Sequence, residues 1–387
     1  MNPAAEPRAV AAAPHRIERL RAWMAGGDVD CVVVAGPVAV NHLLGYWRYF
    51  GGECAAVIDA DGASTLVVAH DEGPSAAELS SAGEVRTYGR RGFGLVPDQR
   101  PLLAAALAQL PALARGGGGG VGFAADTPGL EDHLGELLAA PLQSAESELA
   151  RIRLVKDADE LARVRRSYDL AWEAQAAVAA RAEAGASEIE LFTAGMSAAQ
   201  LSAGQPIEFL GDLLCGARSA EVCAPIRVAS RASIGEGEAI VSDLVVGCEG
   251  YWGDTAETYA AGANEEVEGV RGQLRAILAD CAGLLTPGRP AAEVFHAMAG
   301  AIAEAFPAGE FPHHGGHGLG LGSYEDPHVI PGETASLAAG MVIALEPGVY
   351  FPGRFGARVE EVYVVAEGGG RELRSAAEPR EDTQGRM

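Results

Sequence analysis

Two aspartates eleven residues apart, each set in a strongly apolar or aromatic run, constrain the folding of this chain more than any other feature. Asp243 interrupts Ala239-Ile240-Val241-Ser242-Asp243-Leu244-Val245-Val246, a β-branched run that predicts a buried strand. Asp254 follows in Gly250-Tyr251-Trp252-Gly253-Asp254-Thr255, and the turn residues Gly247 to Gly250 predict an antiparallel pair that brings the two carboxylates close. A carboxylate buried alone is strongly disfavoured by desolvation or takes up a proton. The pair therefore needs a cation or a cationic side chain, and no Lys or Arg lies within the hairpin.

Three further residues share that context. His317 sits in His313-His314-Gly315-Gly316-His317-Gly318-Leu319-Gly320-Leu321, where flanking glycines let the backbone pass close to a site and place an imidazole in it. Glu346 closes the apolar strand Met341-Val342-Ile343-Ala344-Leu345, and Glu360 lies within Arg358-Val359-Glu360-Glu361-Val362-Tyr363-Val364-Val365. Four acids and one imidazole on buried strands make an oxygen-rich donor set, suited to two Mn²⁺, Fe²⁺, Co²⁺ or Zn²⁺ ions rather than to a thiolate zinc site.

With 387 residues, the chain predicts two domains. After a loose Ala- and Pro-rich start of 13 residues, a short helix over Arg16 to Met24 precedes a strand at Asp30 to Ala35. A hairpin around Asp61-Gly62 and a helix over Pro101 to Leu113 follow, a β and α alternation that predicts an α/β domain. The glycine run 116–120 lacks the Lys-Ser/Thr or spaced third glycine of a nucleotide loop and reads as a flexible loop. Near Ser144 to Ser147 the pattern turns into a long charged helical stretch reaching about Ala184, which sets the expected domains at 14–146 and 147–375. Helices over Glu188 to Leu201, Val267 to Leu285 and Ala292 to Phe306, with strands set apart from them, predict α+β for the second half.

A net charge of −24 disfavours nucleic-acid binding, which needs clustered Lys and Arg. The six cysteines show no paired spacing and read as small buried hydrophobes. No run is long and apolar enough to span a bilayer and the start lacks a signal-peptide plan, so the expectation is a cytoplasmic protein with no membrane partner.

In their order, these segments resemble the creatinase/aminopeptidase P/prolidase/methionine aminopeptidase superfamily, the pita-bread fold. The resemblance rests on the aspartate pair, on Gly316-His317-Gly318-Leu319-Gly320-Leu321, on Gly340 to Tyr350 and on Arg358 to Glu361. In the first half, Asp30 to Val34 followed by Asn41-His42-Leu43-Leu44-Gly45-Tyr46 is similar to the small domain of aminopeptidase P, prolidase and creatinase, which methionine aminopeptidases generally lack. The resemblance implies an α/β N-terminal domain before a pita-bread catalytic domain. It implies two divalent metals, Mn²⁺ foremost, with Asp254 and Glu360 bridging, Asp243 on one ion, and His317 with Glu346 on the other. It further implies a metal-bridging hydroxide that cleaves an amide C–N bond, Glu346 taking its proton, His313 on the substrate side, and a homodimer acting on a small peptide or other small molecule.

The chain departs from the family pattern at three places. Tyr324 stands where a second histidine usually follows the metal histidine by seven residues. No histidine occurs from Glu221 to Glu238, where Val222, Cys223 or Ile226 occupies a usual histidine neighbourhood, and Glu257 replaces an arginine. All three departures spare the ligands and fall on groups that contact substrate or carry protons, so Tyr324 joins Glu346 and His313 as a catalytic candidate. Two functions follow: an Xaa-Pro aminopeptidase or dipeptidase, and a non-peptidase relative that hydrolyses or eliminates at a C–N bond of a small metabolite. His42 and His328 read as structural residues, and Trp252 as core packing.

Overall fold

The computed structural model describes residues 14–91, 98–114, 119–126, 128–138, 142–221 and 228–374. The readings made above for residues 1–13, for Gly116 to Gly118 and for Val222, Cys223 and Ile226 lie outside them. The chain forms two compact units that meet between Arg153 and Leu154.

The first unit is built on a six-stranded sheet of β1 (Val29–Ala35), β2 (Ala55–Asp59), β3 (Ser64–Ala69), β4 (Glu84–Tyr88), β5 (Gly120–Ala125) and β6 (Leu142–Ser144), in the order β4-β3-β2-β1-β5-β6. The β1–β2 and β2–β3 pairs are antiparallel and the rest parallel. Alternate residues of β1 feed two cores: Val32 and Val34 pack with Leu20, Leu43 and Leu66, whereas Cys31, Val33 and Ala35 pack with Leu103, Leu107 and Leu134. Such a strand is apolar on both faces because helices cover both. The expected helix over Pro101 to Leu113 is two pieces, Arg100–Ala108 and Pro111–Ala114, and Gly120 of the glycine run begins β5.

In the second unit, the single long helical stretch expected from the sequence is broken. Helix Glu146–Leu154 runs across the division by one residue, and a new helix, Ala158–Ala179, starts at Asp157, whose carboxylate accepts hydrogen bonds from the backbone of Asp159 and Glu160. This helix and Glu188–Ala203 cover one face of an antiparallel sheet of β7 (Glu208–Cys215), β8 (Ala239–Cys248) and β9 (Tyr251–Ala260). Helix and strand approach so closely that a Cβ at Gly253 would lie 2.2 Å from the Tyr168 backbone nitrogen. Two more helices, Glu265–Gly283 and Ala291–Ala305, cover a second sheet of β10 (Gly316–Gly318), β11 (Glu325–His328), β12 (Val342–Leu345), β15 (Glu361–Val364) and β16 (Arg371–Glu372). The β13 (Gly348–Phe351) and β14 (Phe355–Arg358) hairpin lies between β12 and β15 in sequence, so the strand expected over Arg358 to Val365 is interrupted at Val359 and Glu360.

Side-chain alternation sorts the residues of this unit. Ile240, Leu244 and Val246 of β8, and Ile343 and Leu345 of β12, enter the cores under the helices. Period-two alternation then turns Asp243, and Ala344 with Glu346, to the opposite faces of their sheets.

Candidate metal centre

Register brings the acids together. Asp243 pairs with Ala256 across β8 and β9, and Val245 pairs with Asp254, so the two aspartates are diagonal neighbours on one face. Glu360 then bridges to Ala256 from the other side, its amide donating to the Ala256 carbonyl at 2.9 Å. Asp243, Ala256 and Glu360 thus form a row across three chain segments, and the small Ala256 side chain leaves the flanking carboxylates room to converge.

The second sheet uses the same device. His317 pairs with Ala344, and Glu346 lies two residues beyond it on the same face. Close approach of β10 to β12 requires Gly316, at φ +149, where a Cβ would lie 2.0 Å from the Ala344 carbonyl oxygen. The His317 Nε2 atom consequently lies 3.7 Å from Asp254, 3.7 Å from Glu346 and 3.9 Å from Glu360.

All five predicted ligands are therefore buried in one cluster. Ligand atoms of Asp254, His317 and Glu360 lie within 4.8 Å of one another, as do those of Asp243, Glu346 and Glu360, which places Glu360 in both groups. Glu361, its sequence neighbour, turns to the other face, pairing with Arg275 at 3.3 Å and accepting the Tyr363 hydroxyl at 2.6 Å.

The electrostatics of the cluster suit cations. His317 Nδ1 lies 2.9 Å from the Gly318 carbonyl, an acceptor, so this nitrogen carries the proton and the Nε2 lone pair faces the carboxylates. Burial lowers the His317 pKa, keeping the ring in the neutral, metal-ligating form. Burial, with the neighbouring carboxylates next in weight, pushes Asp254 and Glu360 well above the usual carboxylate range. Asp254 Oδ1 and Glu360 Oε1 are buried without a hydrogen-bond partner. Four carboxylates crowded against an imidazole lone pair, two of them with orphaned oxygens, are the donor set that divalent ions satisfy.

Two groups that the sequence reading did not single out balance the remaining charge. Arg358, two residues before Glu360, forms an ion pair with Asp243 and donates from Nε to the Tyr350 hydroxyl at 2.8 Å. It is the cationic side chain that the β8–β9 hairpin lacked, and strand alternation could have placed it on the face of Glu360. Even so, burial outweighs Arg358 and raises Asp243 to about 6. His314 is the second: its Nδ1 lies 3.1 Å from Glu346 Oε1. Burial alone would raise Glu346, but the hydrogen bond and charge of His314, with His313 and Arg358, bring it down to about 2.

The other candidates are also located. His313 Nε2 lies 3.0 Å from the Tyr350 hydroxyl, and burial together with Arg358 lowers its pKa to about 4. Tyr324 stacks on His317 with ring centroids 3.8 Å apart, and its hydroxyl meets His314 Nε2. Glu257, standing where an arginine was expected, is buried and paired with Arg275 on the face away from the cluster. His42 is buried in the first unit, His328 lies beside Asp326, and the Trp252 amide donates to the Gly320 carbonyl at 2.8 Å. The described cysteines 31, 54, 215, 248 and 281 are buried and free.

Fold and donor set together define a metallohydrolase scaffold of the pita-bread class. The profile of metallopeptidase family M24 matches residues 160–367 and that of the creatinase/prolidase N-terminal domain matches residues 16–155; the chain belongs to metallopeptidase family M24. Among curated relatives, the "Probable dipeptidase PepE" of Mycobacterium tuberculosis is 36% identical over 137 residues, 35% of this chain, and the chain spans about a third (36%) of that relative's length. The dipeptidase PepE structure from Mycobacterium ulcerans is 26% identical, with a TM-score of 0.72, over 95% of this chain and 96% of that one. The Xaa-Pro dipeptidase structure from Bacillus anthracis, 20% identical, shares the fold with a TM-score of 0.79 over 95% of this chain and 99% of that one.

Proposed function

We propose that this protein is a dinuclear-metal-dependent hydrolase that cleaves the amide C–N bond of small peptides, of the Xaa-Pro aminopeptidase or dipeptidase type. The observation that carries the reading is the buried cluster of Asp243, Asp254, His317, Glu346 and Glu360, with orphaned oxygens on Asp254 and Glu360, in a chain of family M24. The dipeptidase names of its relatives support the peptide substrate.

In this reading Asp254 and Glu360 would hold both ions, Asp243 would hold one, and His317 with Glu346 would complete the other. Bound divalent ions, Mn²⁺ foremost, supply Lewis acidity and lower the pKa of the attacking water. The chain's own groups do the rest. Glu346, kept ionised by His314, accepts the proton of the attacking water and returns it to the leaving nitrogen. Arg358 pairs with Asp243 and offsets part of the desolvation that favours its protonation, and the Tyr350 hydroxyl accepts from Arg358 Nε. His313 and Tyr324 line the substrate side. The domains are drawn at 14–146 and 147–375, and a homodimer in the cytoplasm completes the picture; no described helix is long and apolar enough to cross a membrane.

The test is turnover of the Mn²⁺-reconstituted protein on a panel of Xaa-Pro dipeptides and longer Xaa-Pro peptides, with Glu346→Ala as control. Metal-dependent release of the N-terminal residue, lost in the variant, is expected. A protein that binds two metals per chain and releases nothing would overturn the peptide reading in favour of small-metabolite chemistry.

A further inference from the structure

Three groups form a continuous line of polar contacts from the buried ligands to the surface: the Glu346 carboxylate, the His314 imidazole and the Tyr324 hydroxyl. His314 Nδ1 is 3.1 Å from Glu346 Oε1, and its Nε2 meets the Tyr324 hydroxyl. Exposure rises along the line, from 7% for the Glu346 side chain to 24% for that of His314 and 53% for Tyr324. The ionised carboxylate can only accept, so Nδ1 must donate to it. In neutral His314 this makes Nε2 an acceptor, and the Tyr324 O–H must donate to it. The phenol oxygen then keeps its lone pairs for a donor on a bound substrate. Stacking of the Tyr324 ring on His317, at 20° between planes, fixes the hydroxyl over the ligand cluster.

Among the described residues, His314 alone of the histidines is both partly exposed and brings a ring nitrogen as close as 3.1 Å to a candidate ligand carboxylate; His313 lies 3.8 Å from Glu346. His317 is sealed beneath it, His313 turns to Tyr350, and His328 lies against Asp326. We propose that His314 is a positioning residue coupling Glu346 to Tyr324, so that the phenol hydroxyl touches the substrate where an imidazole at position 324 is absent. The proposal rests on the hydrolase reading above for its use in turnover, while the coupling itself stands on geometry. It follows the logic of a carboxylate that orients an imidazole, which in turn orients a hydroxyl.

The first experiment needs no turnover. In zinc-loaded protein carrying ¹⁵N-labelled histidine, Tyr324→Phe keeps the stacked ring and removes the hydroxyl, so the His314 imidazole signals should shift; signals indifferent to the substitution would overturn the coupling. With Xaa-Pro substrates, Tyr324→Phe and His314→Gly should each lower kcat by about 10²-fold with KM changed by less than about threefold, and the double variant should lose no more than either alone. Tyr324→His placed in the His314→Gly background should restore kcat to within about tenfold of the parent. Losses that multiply, or no rescue by Tyr324→His, would overturn the proposal. Both single variants should keep the metal content of the parent, whereas a drop in His314→Gly would make His314 a ligand and refute the positioning role. A parent protein silent on every peptide would overturn the peptide reading only, and the imidazole signals then decide the coupling by themselves.

Discussion

Strands β1 and β8 are both central, buried and rich in β-branched residues, yet they do opposite things. Helices cover both faces of β1, and each of its side chains from Cys31 to Ala35 joins an apolar core. One face of β8 packs under the helices Ala158–Ala179 and Glu188–Ala203, while Asp243 interrupts its other face. The difference teaches where to look for chemistry. A buried strand tolerates a carboxylate only where something offsets the desolvation, and here Arg358 does so in part.

The sharpest way to break the comparison is to remove an acid from the chemical face. Asp254→Ala is expected to abolish uptake of the second ion and lower turnover on the order of a thousandfold, read by metal analysis and kinetics. Chelation of the parent protein should likewise lower its Tm, because it removes ions that bind the native state alone, and Mn²⁺ should restore it.

Arg358→Met tests the offset itself. Without metal, Asp243 would be left buried and unpaired, so the chelator-treated variant should lose about 3 kcal/mol of stability in urea unfolding. Saturating Mn²⁺ should shrink that loss, since a cation at Asp243 then takes over from the guanidinium; an equal loss with and without metal would place Arg358 in a purely structural role.

A smaller effect is expected at Ala256, the spacer between Asp243 and Glu360. Ala256→Leu should cost about 1–3 kcal/mol through overpacking and weaken binding of at least one ion, read by calorimetric titration. Least of all should happen to the site when the core of the first unit is cut. Leu66→Ala should cost about 2–5 kcal/mol of stability while leaving two metals per chain and Mn²⁺ affinity unchanged. A change in metal affinity in that variant would erase the distinction between the two sheets.

Much of this was legible in the chain because apolar, β-branched runs bounded by turn residues report buried strands. Continuous apolar, β-branched runs at Ala239 to Val246 and Met341 to Leu345 predicted the strands that carry Asp243 and end at Glu346, and the Asp61-Gly62 turn predicted the β2–β3 hairpin. The break at Asp157 was less legible: its capping box lies within a stretch whose apolar spacing continues across it. His314 and Arg358 were missed because their importance depends on what they face, Glu346 in one case and Asp243 in the other, at separations of 32 and 115 residues along the chain.

By itself, the sequence determined that five ligand-type side chains would sit on or beside apolar strands in the second half, because burying them singly is too costly to be incidental. Only the tertiary structure decided how they meet. Glu360 comes to Asp243 through a backbone bridge at Ala256, and Tyr324 comes to His317 by stacking. Those contacts join segments with no local signal for each other; the register of distant strands, set by packing under four helices, fixes them.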